Sequence, residues 1–170
     1  MTEDLPALPS TIDTRRLRLR PLTRNDIESF RDMTDEPAIT GAIDFLPTPF
    51  TLRDAERLID GNRDGRDCFW GVWQNDNLQL IGAVGTHLRG TDEIEIGYWF
   101  ATAALGHGFA FEAAAAIVAA LLQATPNRRI FAECRPDNER SWRLLERMGF
   151  QADSRGGLRS GRKRLVFAAR

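Results

Sequence analysis

Apolar and polar positions change period several times along the chain, and each change marks an element. Leu17 and Leu19 alternate with Arg16, Arg18 and Arg20, the two-residue repeat of a strand with one buried face. Thr23 is placed to cap a helix over about 25–33. Residues 35–50 hold Pro37, Gly41, Pro47 and Pro49 and read as a loop with short helical pieces, and long loops in compact domains often carry function. Thr51 and Asp54 have capping-box spacing at the head of a helix reaching about residue 62. Three strands follow at 69–74, 80–87 and 93–100, with hairpin turns at 75–77 and 89–91. The pattern then gives a helix over 108–124, a strand over 129–134, and a helix over 138–148 stopped by Gly149. Strands at 150–154 and 164–168 close the chain around Gly156 and Gly157. This order predicts a single α/β domain over 12–168, a mixed sheet with helices packed on it, after a flexible lead-in over 1–11.

Composition narrows the function classes. The 170 residues, 42% hydrophobic and 28% charged, suit one globular domain with a proper core. A formal charge of −1 supplies no bulk attraction to nucleic acid or membrane, so neither is expected as a partner. Cys68 and Cys134 are the only cysteines and lie far apart, without CxxC or His/Cys ligand spacing. No disulfide framework and no metal site are expected, and a reducing cytoplasm is the expected setting. The start of the chain lacks the basic and apolar blocks of a signal peptide, and the apolar run 113–122 falls short of the roughly 20 residues that span a bilayer.

The chemistry-bearing stretch is strand, glycine turn, helix: residues 95–100, then Leu105-Gly106-His107-Gly108-Phe109-Ala110, then the alanine-rich run from 111. Glycines let backbone N–H groups crowd where a helix begins, and the first helical N–H groups lack intrahelical partners, so the turn is suited to phosphate. A P-loop is excluded, since Gly108 is followed by Phe109 and Ala110 and no lysine is near. A dinucleotide fold has Glu133 in its favour as a ribose-binding acid. Against it, Phe111 stands where Gly or Ala belongs, and the glycines come too late for two mononucleotide halves. The plain alternative is a helix-start turn with glycines for close packing.

Four segments together resemble the GNAT superfamily of acetyl-CoA-dependent N-acetyltransferases, and within it the RimJ/RimL-like branch. They are the opening strand 14–22, the Glu95-Ile96-Gly97-Tyr98-Trp99-Phe100 strand, the 105–110 turn, and Asn138 with Ser141, Leu144, Gly149 and Phe150. The resemblance implies a mostly antiparallel sheet splayed at the cofactor strand, with helices on both faces. It implies acetyl-CoA as cofactor, with pyrophosphate against the amides of Gly106 to Ala110 and pantetheine along the strand edge at Phe100 and Ala101, near Asn138 and Ser141. The acceptor it implies is an amine, either a peptide or protein N-terminus or a small amine such as a polyamine or aminoglycoside. A homodimer is common in such folds. Two departures stand out: Leu105 replaces the usual Gln or Arg, and Leu145 replaces the tyrosine that protonates the departing thiolate. The second keeps a non-catalytic acyl-CoA-binding module in view.

Strand alternation puts Glu93, Glu95, Gly97 and Trp99 on one face and Ile94, Ile96, Tyr98 and Phe100 on the other, the core face. Glu95 matches the branch's glutamate and is expected to act as general base through a water, with Glu93 the weaker alternative. Ser141 is expected to donate a hydrogen bond to the thiolate, and Asn138 to hold the pantetheine chain or to cap its helix. His87, ending a strand, reads as a packing or surface histidine. The basic residues Arg155, Arg159, Arg162, Lys163 and Arg164 read as a solvated hairpin.

Overall fold

A computed structural model describes residues 4–168. The elements run β1 (Ile12–Asp13), β2 (Leu17–Pro21), α1 (Ile27–Thr34), α2 (Pro37–Thr40), α3 (Leu52–Gly61), β3 (Asp67–Gln74), β4 (Leu80–Arg89), β5 (Glu93–Phe100), α4 (Phe109–Ala124), β6 (Arg129–Cys134), α5 (Glu139–Met148), β7 (Phe150–Gly156) and β8 (Lys163–Phe167). Short 3-10 turns precede α1 and α4. The strands form one sheet in the order β1-β2-β3-β4-β5-β6-β8-β7. Every pairing is antiparallel except β5 with β6.

Both faces of the sheet are covered. The alternation read in the sequence carries Leu17, Leu19, Ile94, Ile96 and Phe100 to one face, where α4 packs through Ala113, Ile117 and Leu121 and α5 through Leu145. On the other face α1 and α3 bring Phe30, Met33, Ala55 and Ile59 onto Phe69, Ala83 and Trp99. Trp99 is fixed there by its indole N–H, which donates to Thr34 Oγ1 at 3.0 Å. The capping box at Thr51 is present, with Asp54 N–H donating to Thr51 Oγ1.

The described part of the lead-in touches the body of the domain. Leu5 and Leu8 pack against the first core, and Leu5 N–H donates to the Gly65 carbonyl at 2.6 Å. Residues 4–11 are therefore docked on the body, held by apolar side chains that a reading by polarity and proline content discounts. Residues 1–3 of the expected lead-in lie outside the described residues. No helix among the described residues is long and apolar enough to cross a membrane.

Candidate active site

The site follows from a defect in the sheet. Strands β5 and β6 pair from Glu93 opposite Arg129 to Ile96 opposite Ala132, and no further. Beyond that point β5 stays with β4 as far as Phe100, and β6 stays with β8 as far as Cys134. The two strands therefore part at Gly97 and leave a cleft of about 400 Å3 through the sheet. Tyr98, Ser141, Asn138 and Leu145 line it on the α5 side. Gly85, His87, Glu95, Trp99 and the loop around Phe45 line it on the other. From Gly97 to Phe100 the edge of β5 facing the cleft has no strand partner, so its backbone is free to pair with an extended ligand.

The glycine turn lies just beyond this edge. Gly106 and Gly108 have φ of +82° and +79°, left-handed values that disfavour a Cβ. A Cβ on Gly106 would meet nothing within 4 Å, and on Gly108 only Arg16 Nη2 at 3.4 Å. The turn is thus an open cradle at the head of a 16-residue helix. The head of α3 is capped by Thr51 and that of α5 by Asn138, whereas no side chain caps α4. Its leading N–H groups point at the cradle without a side-chain acceptor, which fits a phosphate-bearing group.

Leu105, Gly106, His107 and Gly108 are all exposed around the cradle, and the His107 ring stacks on Phe109 with centroids 5.6 Å apart. The rings of Phe100 and Phe109 belong to the core, so only their backbones are available to a ligand. Ala110 packs partly against the same core. Ala101 N–H is committed to the Ile81 carbonyl at 2.9 Å. Arg16 is a residue that sequence reading passed over. Its guanidinium lies over the Phe109 ring at 4.5 Å and pairs with Glu112 at 2.7 Å, tying β2 to the start of α4.

On the α5 side, Asn138 caps its helix: Oδ1 accepts from Ser141 N–H at 3.3 Å. Ser141 Oγ lies 2.9 Å from Tyr98 Oη, which joins the one tyrosine of the chain to the cleft. The sequence placed Tyr98 on the core face of its strand, and that is where it lies. That its hydroxyl would reach a helix 43 positions onward was invisible to a reading by alternation. Burial pushes the Tyr98 hydroxyl well above the ordinary phenol range, so it stays protonated. Cys134 is buried, and burial likewise raises its thiol pKa, consistent with an inert side chain.

The opposite face departs most from expectation. Glu95 lines the cleft, but it is 4% exposed and both its oxygens are held, by Arg159 Nη1 at 2.5 Å and Arg89 Nε at 2.7 Å. Burial alone would raise its pKa; the two guanidinium groups outweigh this and hold it below the ordinary glutamate range. Arg159 also binds Glu133 at 2.7 Å. Glu93 does not line the cleft and is paired with Arg164 and Arg155.

The hairpin is solvated only in part: Arg155 and Lys163 are exposed, but the other basic side chains turn inward. Arg164 is 4% exposed, lies over the Phe131 ring at 3.9 Å and binds Glu93 and Asp153. Arg162 binds Asp44 in the loop across the cleft. Inward carboxylates from β5, β6, β7 and that loop draw these side chains in, and planar guanidinium groups are suited to such pairing. His87, read as a packing histidine, lines the cleft with its Nδ1 2.6 Å from Asp67 Oδ1.

Comparison with known proteins agrees with this architecture. Residues 16–151 match the acetyltransferase (GNAT) domain model. The chain is 30% identical over 156 residues to the N-acetyltransferase YoaA of Bacillus subtilis, covering 84% of this chain and 83% of that protein. A GNAT-family acetyltransferase from Bacillus anthracis superposes with a TM-score of 0.77 at 23% identity, over 92% of this chain and 95% of that one. RimL, a ribosomal L7/L12 alpha-N-protein acetyltransferase solved in complex with coenzyme A, superposes with a TM-score of 0.80 at 14% identity, over 92% and 96%. With the splayed sheet, the open turn at α4 and a family match covering most of its length, this chain belongs to the GNAT acetyltransferase family.

Proposed function

We propose that this protein transfers an acetyl group from acetyl-CoA to a primary amine, by preference the α-amine of a peptide or protein N-terminus. The observation that carries the reading is the parting of β5 and β6 beside an uncapped, glycine-lined helix start. Acetyl-CoA, when bound, supplies an acyl group activated as a thioester. The amides from Gly106 to Ala110 would hold its pyrophosphate, and the free edge of β5 from Gly97 to Phe100 would pair with the pantetheine amides.

The α5 side can stabilise a departing thiolate. Where Tyr98 donates to Ser141 Oγ, the serine hydrogen can turn either to the neighbouring Cys134 sulfur or to a thiolate in the cleft. A hydroxyl that itself accepts a hydrogen bond is a better donor, because such chains polarise one another. The pair takes the part of the tyrosine absent at Leu145 and favours a catalyst over a silent acyl-CoA-binding module. The other side receives the amine. Its ammonium proton must leave on the β4–β5 face, where Glu95 and, across from it in register, His87 stand.

An α-amine suits this site better than a lysine. At pH 7 an α-amine with pKa near 7.7–8.0 is roughly 10–15% neutral, a lysine near 10.4 only about 0.04%. Deprotonating the lysine costs about 3 kcal/mol more. The RimL relative, which acts on a protein α-amine, supports the same acceptor class. The test is thiol release with N-terminal peptides, polyamines, amino acids and aminoglycosides as acceptors. N-terminal peptides should turn over fastest, and a polyamine or aminoglycoside that outpaces them all would reverse the acceptor assignment.

A further inference from the structure

We infer that His87, oriented by Asp67, is the group that takes the proton from the acceptor ammonium, and that Glu95 is a positioning residue for the arginines around it. This rests on the acetyl-transfer reading and concerns the same cleft.

The geometry begins with two bare positions. Gly85 and Gly97 are register partners on β4 and β5, and both line the cleft. A Cβ on Gly97 would meet nothing within 4 Å. Gly97 leaves a hollow in the sheet floor where the strands part, with Trp99 and Phe45 beyond it, while the space over Gly85 is taken by the rings of His87 and Phe69. His87 stands at the other end, two residues from Gly85 and on the same face. Its Nε2 lies directly over Gly85: a Cβ there would sit 2.6 Å from that nitrogen. The ring is held from behind by Phe69, with centroids 5.2 Å apart.

The tautomer follows from the partner. The hydrogen bond from His87 holds the Asp67 carboxyl below the ordinary aspartate range, so Asp67 is a carboxylate and can only accept. Nδ1 must therefore carry a hydrogen and donate it at 2.6 Å. Nε2 is left with a lone pair facing the hollow. The arrangement is a base oriented by a carboxylate, the geometry in which an imidazole serves as a general base. The charged groups facing it are Asp67 with Arg66 and Arg89 close by, Glu95 across the strand pair, and Arg159 beyond Glu95. Glu95 is a poor rival: both its oxygens are occupied and its proton affinity is depressed.

The protons balance. One leaves the acceptor ammonium for the Nε2 lone pair and passes to solvent. The freed nitrogen lone pair forms the new C–N bond as the C–S bond breaks, and the electron pair of that bond leaves on sulfur. The second proton leaves the nitrogen and ends on the thiolate, assisted by Ser141.

The test is the pH profile of kcat/KM for the best amine found in the acceptor screen. His87→Gln should lower kcat/KM about 10²-fold and remove the acidic limb, leaving only the ionisation of the amine itself. Asp67→Asn should cost about tenfold and shift that limb, whereas Glu95→Gln should keep the limb in place. Gly85→Ala, which drives a methyl into Nε2, should reproduce the His87→Gln loss with CoA affinity unchanged. A second readout needs no turnover. The chain has two histidines, so 15N correlation spectra, with His107→Gln for assignment, report the resting tautomer directly. Protonated Nδ1 and bare Nε2 are expected. The opposite tautomer, an acidic limb that survives His87→Gln, or its loss in Glu95→Gln alone would overturn the inference while leaving acetyl transfer standing. A wild-type protein that turns over no amine would take down both.

Discussion

The α4 turn and the β4–β5 face of the cleft are built in opposite ways. The turn is made of consecutive residues, and what it offers a ligand is backbone amides at a helix start left without a cap. The opposite face is gathered from β3, β4, β5, β6 and the last hairpin: Asp67, His87, Glu95, Glu133 and Arg159. What it offers is side chains that hold one another. A backbone site tolerates almost any side chain outside it and none inside it. A side-chain network shares the loss of any member among the rest. Substitution should therefore be all-or-none at the turn and graded on the face.

The largest expected effect is at the turn. Gly108→Val puts a β-branched side chain on a backbone at φ +79°, a conformation such residues avoid, and fills the cradle. CoA affinity should fall by more than about 100-fold, and the thermal stabilisation that the ligand gives the wild type should vanish at the same concentration. Retained affinity in the folded variant would show that the cradle is not the phosphate site.

On the face the effects should be graded. Glu95→Gln frees Arg159 and Arg89 from a charged partner and should lower kcat/KM for the amine by about tenfold, with CoA affinity unmoved, as expected for loss of a positioning interaction. A loss of CoA affinity instead would mean that the two sides of the cleft are not separable. Tyr98→Phe should cost less, about fivefold in kcat, because Ser141 keeps its hydroxyl. If the two hydroxyls act as one unit, Ser141→Ala combined with Tyr98→Phe should be no worse than Ser141→Ala alone; additive losses would separate them.

The same contrast explains what could be read from the chain. Every strand but the two-residue β1, and every long helix, was legible, because Leu17 and Leu19, or Ile94 and Ile96, declare a buried face by spacing alone. The turn was legible too, since an open helix start needs only Gly106, Gly108 and a helix behind them. The face was not. Nothing within ten residues of His87 announces Asp67, 20 positions away, and Gly85, though only two residues before it, does not say that the ring leans over it. Arg159 and Arg164 look like a charged hairpin until the sheet brings Glu93, Glu95 and Glu133 against them. Alternation assigned Tyr98 to the correct side of its strand, but a helix from elsewhere decides what its hydroxyl meets.

The smallest expected effect concerns stability, and it sharpens the comparison because Glu95 is itself a titrating group and Gly108 is not. The folded pKa of Glu95 lies below its ordinary value of 4.5. A carboxylate with a depressed folded pKa stabilises the protein fully above its unfolded value, and loses that contribution as pH falls through the folded one. At pH 7, Glu95→Gln should therefore cost roughly 1–2 kcal/mol, since a buried charged hydrogen bond is replaced by a neutral one and the arginines stay partly solvated. The gap between variant and wild type should hold down to about pH 5 and close progressively at lower pH, as the wild type is protonated and comes to resemble the amide. Gly108→Val removes no titrating group and touches only Arg16, the partner of Glu112, so its cost should vary with pH far less. Urea unfolding of both variants at pH 7, 5 and 3.5 separates the two behaviours. A Glu95→Gln penalty that stays constant to pH 3.5 would mean that the arginine pairing contributes nothing to the fold beyond its shape.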